Sequence, residues 1–289
     1  MRIKAVLSFI LISFCITSKS QAQTGGLMNS NIPVSTKWLL DVAGDAGRTA
    51  VKSVYMIACP KTGLKGTGFL LKSGHLITNE HVIRGCQANE IMAWSSFGVQ
   101  VTFQRLIVDA KRDLAVLTPV EKQPGGLTLG TDENLLVGTS VFTWGFPLGY
   151  NGPAPLFSAG YLSGFIAYRK DADGTNVIKH LVVNGAFNPG NSGGPLFSPN
   201  NKVIGIVVSK HAPISEFHLS AIKALPENQS GITFTATDDK GKQTVLVESQ
   251  VVAGLLQYFR DLTQVMIGEA ISVSELKTLL QENKITLPE

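Results

Sequence analysis

Asn188-Pro189-Gly190-Asn191-Ser192-Gly193-Gly194-Pro195-Leu196 is the stretch on which the reading of this 289-residue chain turns. It sets one serine among small and turn-forming residues, just ahead of the apolar run Val203-Ile204-Gly205-Ile206-Val207-Val208. Glycines at 190, 193 and 194 permit positive φ and close approach by another molecule. A serine on such a turn can present its Oγ, and the backbone N–H groups of Gly190 and Ser192 can converge on one spot. An activated nucleophile beside an oxyanion hole needs that arrangement. Asn191 N–H lies between them and is the poorer donor.

A serine hydroxyl is a weak nucleophile until a base takes its proton. Of five histidines, His81 stands out, because it follows Leu76-Ile77-Thr78-Asn79-Glu80, where an apolar strand runs into a polar turn. His75, His180, His211 and His218 read as structural or solvated. A carboxylate must then orient the imidazole. Asp113 is the best candidate: Leu114-Ala115-Val116-Leu117 follow it and draw it towards the core, where it must find a hydrogen-bond partner. Asp109 competes, but Ala110-Lys111-Arg112 follow it, so it reads as solvated.

The body of the chain is a series of short apolar runs punctuated by glycine, proline and asparagine: 68–71, 99–107, 114–117, 140–144, 178–183 and 203–208. Helical periodicity is absent until the C-terminus. That pattern predicts an all-β fold of two small antiparallel barrels, with a linker near Glu121-Lys122-Gln123-Pro124-Gly125-Gly126. His81 and Asp113 then fall in one lobe and Ser192 in the other, with the site in the cleft between them. Val252, Leu255, Leu256, Phe259 and Leu262 predict a helix over 249–265, packed on the second lobe. A short helix follows over 272–283, capped by Ser272 or Ser274.

With its phrases in the order Gly66-Thr67-Gly68-Phe69, Thr78-Asn79-Glu80-His81-Val82-Ile83, Asp113-Leu114-Ala115-Val116-Leu117, Gly145-Phe146-Pro147-Leu148-Gly149 and Asn188 to Leu196, the chain resembles the trypsin-like proteases of the HtrA (Deg) type. Ser158-Ala159-Gly160-Tyr161-Leu162-Ser163-Gly164 resembles a further strand-turn phrase of that family, and the likeness spans roughly residues 50 to 260. It implies a chymotrypsin-like fold of two six-stranded antiparallel β-barrels with a C-terminal helix or helices. The lobes are expected over 34–125 and 126–265, with a short helical tail over 266–289. It implies peptide-bond hydrolysis by catalytic His81, Asp113 and Ser192, with Gly190 and Ser192 as oxyanion hole. It places Ala186 at the base of the pocket for the side chain before the scissile bond (P1), and Val208, Ser209 and Lys210 along its wall. Alanine at 186 argues against tryptic cleavage, because an unpaired buried cation is costly. A small or medium apolar P1 residue is the expectation; an acidic one is accepted only if Lys210 or His211 points inward. The likeness also implies a Cys59–Cys86 disulfide behind the histidine loop. Too few residues follow 265 for the PDZ domain usual in that family, which puts control by peptide binding in doubt. A homo-oligomer is compatible with the family. The stretch 210–232 reads as an insertion, and Asn228-Gln229-Ser230 as a glycosylation sequon relevant only to a eukaryotic route.

The start of the chain sets the compartment. Arg2 and Lys4 precede an apolar run from Ala5 to Thr17, too short to span a bilayer comfortably, and Ser20-Gln21-Ala22 offers a cleavage site. A signal peptide over 1–22 is expected, hence export to the periplasm or outside. Cys15 follows Phe14 and does not read as a lipid anchor. Loss of Arg2, Lys4 and Lys19 with the leader takes the formal charge from +4 to +1. The basicity therefore belongs to the leader and implies neither a nucleic-acid partner nor, once the leader is removed, a membrane. Ligand spacing for a metal is absent, and neither a metal nor a cofactor is expected. Protein or peptide substrates are the partners implied. A catalytically latent peptide-binding module is the alternative; an esterase is weaker, since no strand-to-helix context follows the serine.

Overall fold

The computed structural model describes residues 32–169, 177–210, 220, 224–228, 231–237, 241, 243–262 and 267–288. The expected leader, His211, His218 and most of the sequon lie outside them.

Two helices precede the first strand, α1 (Val34–Val42) and α2 (Gly44–Ser53). The sequence hides them, because neither opens with a capping side chain and Gly44 and Gly47 interrupt the pattern. Leu39, Leu40, Ala50 and Val51 nonetheless reach the core.

The N-terminal lobe is one antiparallel sheet: β1 (Val54–Cys59), β2 (Leu64–Leu70), β3 (Leu76–Thr78), β4 (Met92–Ser95), β5 (Gln100–Val101), β6 (Phe103–Asp109) and β7 (Leu114–Pro119), in the order β5-β4-β1-β2-β3-β7-β6. The expected six-stranded closed barrel is thus a curled seven-stranded sheet. The run 99–107 does not form one strand: it breaks at Thr102, whose carbonyl accepts from Val120 N–H (3.0 Å). β5 and β6 lie on either side of that break and occupy the two opposite edges. The curl brings the edges together through a single residue of chain. Tyr55, Ile57, Leu70, Leu76, Ile91 and Leu117 form its core. The disulfide joins Cys59 at the end of β1 to Cys86, 27 residues on, just past helix α3 (Glu80–Ile83).

The C-terminal lobe closes fully. Its strands are β8 (Ser140–Gly145), β9 (Leu156–Arg169), β10 (Val177–Val183), β11 (Pro195–Phe197), β12 (Val203–Lys210) and, after two strands described below, β15 (Gly268–Ser272), in the order β10-β15-β12-β11-β8-β9. Leu162, Leu181, Val183, Leu196, Ile204, Val207 and Ala270 form one core cluster. Alternate residues Ile178, Ile206 and Ile271 turn to a second cluster with Leu276, Leu279 and Leu280, as strand alternation requires.

Two expectations change here. The tail over 266–289 is not only helical, because Gly268–Ser272 is the strand that closes the barrel between β10 and β12. All five of its residues are buried; with Glu269 and Ser272 among them, it does not read as an apolar run. The helix over 249–265 exists as α4 (Glu248–Leu262), but it belongs to a separate compact unit spanning 212–263 and not to the barrel lobe. That unit also contains the hairpin β13 (Thr233–Thr237) and β14 (Gln243–Val247). The insertion is therefore longer than the 210–232 stretch suggested. The last helix, α5 (Val273–Glu282), starts where β15 ends, with Ser272 Oγ accepting from Ser274 N–H.

Breaking the Cys59–Cys86 bond, by Cys86→Ser or by a reductant, should lower stability by up to ~3 kcal/mol through the freed loop. Guanidinium unfolding with and without dithiothreitol measures this; coincident curves would mean that packing alone holds the histidine loop.

Candidate active site

β3 delivers the histidine. Asn79, fully buried, ends the extended segment, and α3 begins at Glu80 with His81 in its first turn. Asn79 Nδ2 and Glu80 N–H both donate to the carbonyl of Asp113, at 2.9 and 3.2 Å. Asp113 enters from the β6–β7 turn with φ +53, a region uncommon for residues with a side chain. Its carboxylate meets His81 twice. Oδ2 lies 2.7 Å from Nδ1, and Oδ1 accepts the His81 backbone N–H at 2.9 Å. With Nδ1–H donated to the carboxylate, Nε2 is left as the acceptor.

Asp109 is not solvated as its sequence context suggested. Its Oδ1 accepts the N–H groups of Lys111 and Arg112, both at 3.0 Å, and so shapes the turn that presents Asp113. Burial alone would raise the Asp109 carboxyl; the hydrogen bonds from Arg112 and Lys111 and the Arg112 charge outweigh it and hold it below the ordinary range.

Ser192 sits on the loop leading into β11, and β2 holds that loop. Thr67 N–H donates to Ser192 O (2.8 Å); Thr67 Oγ1 donates to Gly190 O (2.6 Å) and accepts Phe146 N–H (3.0 Å). Strand and loop touch backbone to backbone: at Gly193, with φ +86, an added Cβ would lie 2.1 Å from Thr67 O and 2.2 Å from Thr78 Oγ1. Only glycine fits both the conformation and the gap. Asn191 N–H is consumed by Asn188 O (3.0 Å). Among the described residues, the N–H groups of Gly190 and Ser192 are not taken.

The hydroxyl of Ser192 donates to the carbonyl of Val208 (2.7 Å) and not, among the described residues, to His81. Val208 lies where the β12–β15 register shifts, between Val207 and Ser209. Ser209 and Lys210 continue β12 opposite Glu269 and Gly268; their side chains lie outside the described residues. Ala186 is partly buried in the loop before the serine. Its neighbour Phe187 is 2% exposed and covers Gly268, where a Cβ would come within 2.3 Å of the ring. His180 is buried against Glu269 (3.0 Å) and Tyr168.

The sequence did not single out Asn79, Thr67 or Phe187. Thr67 sits inside the Gly66–Phe69 phrase, but a glycine-flanked threonine gives no sign that its hydroxyl meets a loop 123 residues away.

A profile for the trypsin-like peptidase domain matches residues 66–206. A probable periplasmic serine endoprotease DegP-like from Halomonas elongata is 34% identical over 142 residues, 49% of this chain and 28% of that protein. Protease Do-like 1, chloroplastic, from Arabidopsis thaliana is 35% identical over 156 residues, 51% of this chain and 34% of that protein. The chain thus spans about a third or less of the length of these curated relatives. In fold, it is similar to the active form of the Rv3671c protease from M. tuberculosis, with TM-score 0.56, 18% identity, and 93% of this chain and 97% of that one covered. The segment over 66–206 that matches the trypsin-like peptidase domain holds His81, Asp113 and Ser192, and the fold is similar to that of HtrA-type proteases.

Proposed function

We propose that the chain is a serine endopeptidase working through an acyl-enzyme. One observation carries this reading: the 2.7 and 2.9 Å contacts that align His81 on Asp113, opposite a serine loop clamped by Thr67. In the proposed cycle the Ser192 hydroxyl turns from Val208 O towards His81 Nε2. Oγ attacks the peptide carbonyl as His81 takes its proton, and Asp113 stabilises the imidazolium. The N–H groups of Gly190 and Ser192 hold the oxyanion, each worth ~3 kcal/mol of barrier. His81 then protonates the leaving amine, and water, activated by His81, releases the acyl group. No cofactor enters these steps. Once the hydroxyl has turned, Val208 O is free to accept a substrate backbone N–H.

For specificity, Ala186 supplies no acid and Phe187 fills the space over Gly268. Both favour a small or medium apolar P1 side chain over lysine or arginine. Export to the periplasm or beyond fits the basic and apolar leader, and the Halomonas relative carries the word periplasmic in its name. A second reading, a latent peptide-binding module, draws on the Ser192–Val208 bond, which keeps the hydroxyl off the base.

A fluorophosphonate probe should label the wild type stoichiometrically and Ser192→Ala not at all. Labelling that persists in Ser192→Ala would place the nucleophile elsewhere; a folded wild type that does not label would favour the latent module. Thr67→Val, which leaves both Gly190 O and Phe146 N–H without their Thr67 partner, should slow labelling about tenfold, ~1.4 kcal/mol shared between the two lost hydrogen bonds. A rate equal to wild type would detach Thr67 from the reactivity of the serine.

A further inference from the structure

Arg112, the residue before Asp113, is 4% exposed and surrounded by carboxylates. Nη1 donates to Asp109 Oδ2 at 2.5 Å, on its own turn. Nη1 and Nη2 form a fork with the two oxygens of Glu282 at 2.9 and 3.0 Å, and Nε donates to Glu275 Oε2 at 3.2 Å. Both glutamates belong to α5, more than 160 residues away in the chain. The second oxygen of Glu275 accepts the backbone N–H of Lys179 on β10, also at 3.2 Å. A continuous path of hydrogen bonds therefore runs from the C-terminal barrel through Glu275 and Arg112 to the turn that carries Asp113. The pairing with Glu282 is the largest influence on the guanidinium and raises its affinity for the proton further.

The turn needs such support. A non-glycine residue in the left-handed region is costly and persists only where its surroundings over-determine it. Asn79 and Glu80 hold the carbonyl of Asp113 from the histidine side. Asp109 Oδ1 and the Asp109–Leu114 strand pairing hold the approach of the chain from within its own turn, and the Arg112 fork adds a tie from that turn to the C-terminal helix. A planar fork between two carboxylates sets direction as well as distance, which an ammonium cannot do.

We propose that Arg112 is a positioning residue for the Asp113–His81 pair, and that the C-terminal helix, through Glu275 and Glu282, belongs to the machinery that sets the triad acid. The activity readout of this proposal rests on the endopeptidase reading; the spectroscopic readout does not.

The test compares the full-length wild type with Arg112→Leu, Arg112→Lys and Glu282→Gln. Three quantities are measured: the melting temperature, the low-field proton resonance of His81 Nδ1–H, and kcat and KM on an apolar-P1 peptide. For Arg112→Leu the expected result is a fall in kcat of tenfold or more, about what a misplaced catalytic group costs. KM should stay within about twofold, and the His81 resonance should broaden or shift as the proton loses its fixed acceptor. Arg112→Lys should recover part of the loss, since one ion pair survives without the fork. If Arg112→Leu does not fold, Glu282→Gln decides, with a few-fold fall in kcat and the same direction of change in the resonance. A folded variant with wild-type kcat and wild-type resonance overturns the proposal, even if its melting temperature falls; Arg112 would then be a structural clamp only. Absence of cleavage by the wild type would sink the endopeptidase reading, while the resonance would still decide the role of Arg112.

Discussion

The contact between β2 and the loop of Ser192 is the constraint on which the rest of the site depends. Thr67 meets that loop through three groups: its N–H, its Oγ1 and, across Gly193, its carbonyl. The lobe that carries the histidine and the acid is thereby fixed against the lobe that carries the serine, by backbone atoms and not by long side chains. Backbone contacts have little freedom to lose, so they hold the Ser192 loop more closely than a salt bridge would. The price is paid at one position, where Gly193 must remain without a side chain.

A second tie runs on the acid side. Asp113 sits at a strained backbone position, fixed by Asn79 and His81 in front and approached by a turn that Asp109 and Arg112 organise. The last helix reaches this turn only because β15 first closes the barrel and Ser272 then starts the helix directly from it. The C-terminal segment thus serves the barrel with one half and the acid-bearing turn with the other.

The pairing of His81 with Asp113 and the tight turn at Ser192 are where the sequence placed polar turns at the ends of apolar runs, because turn chemistry is local. The closed second barrel was largely legible for the same reason. What stayed hidden was long-range. β15 hid because five residues that include Glu269 and Ser272 do not read as an apolar run, although pairing with β10 and β12 buries both. The break at Thr102 hid because a threonine in an apolar run looks like strand. α1 and α2 lacked capping signals, and the insertion read over 210–232 gave no sign that the helix after it belongs to the same compact unit. The misreading of Asp109 is the most instructive: of the two basic residues after it, Lys111 is exposed, but Arg112 turns inward to carboxylates far along the chain.

The central claim is that Ser192 becomes covalently acylated with His81 as its base. Rapid acid quench of the enzyme with an activated peptide ester, followed by mass spectrometry of its proteolytic fragments, tests it directly. The account predicts one acyl group per chain, carried on the fragment containing Ser192, and its loss in His81→Ala. Ester turnover with no acyl group on Ser192, or an acyl group mapped to another residue, would contradict it.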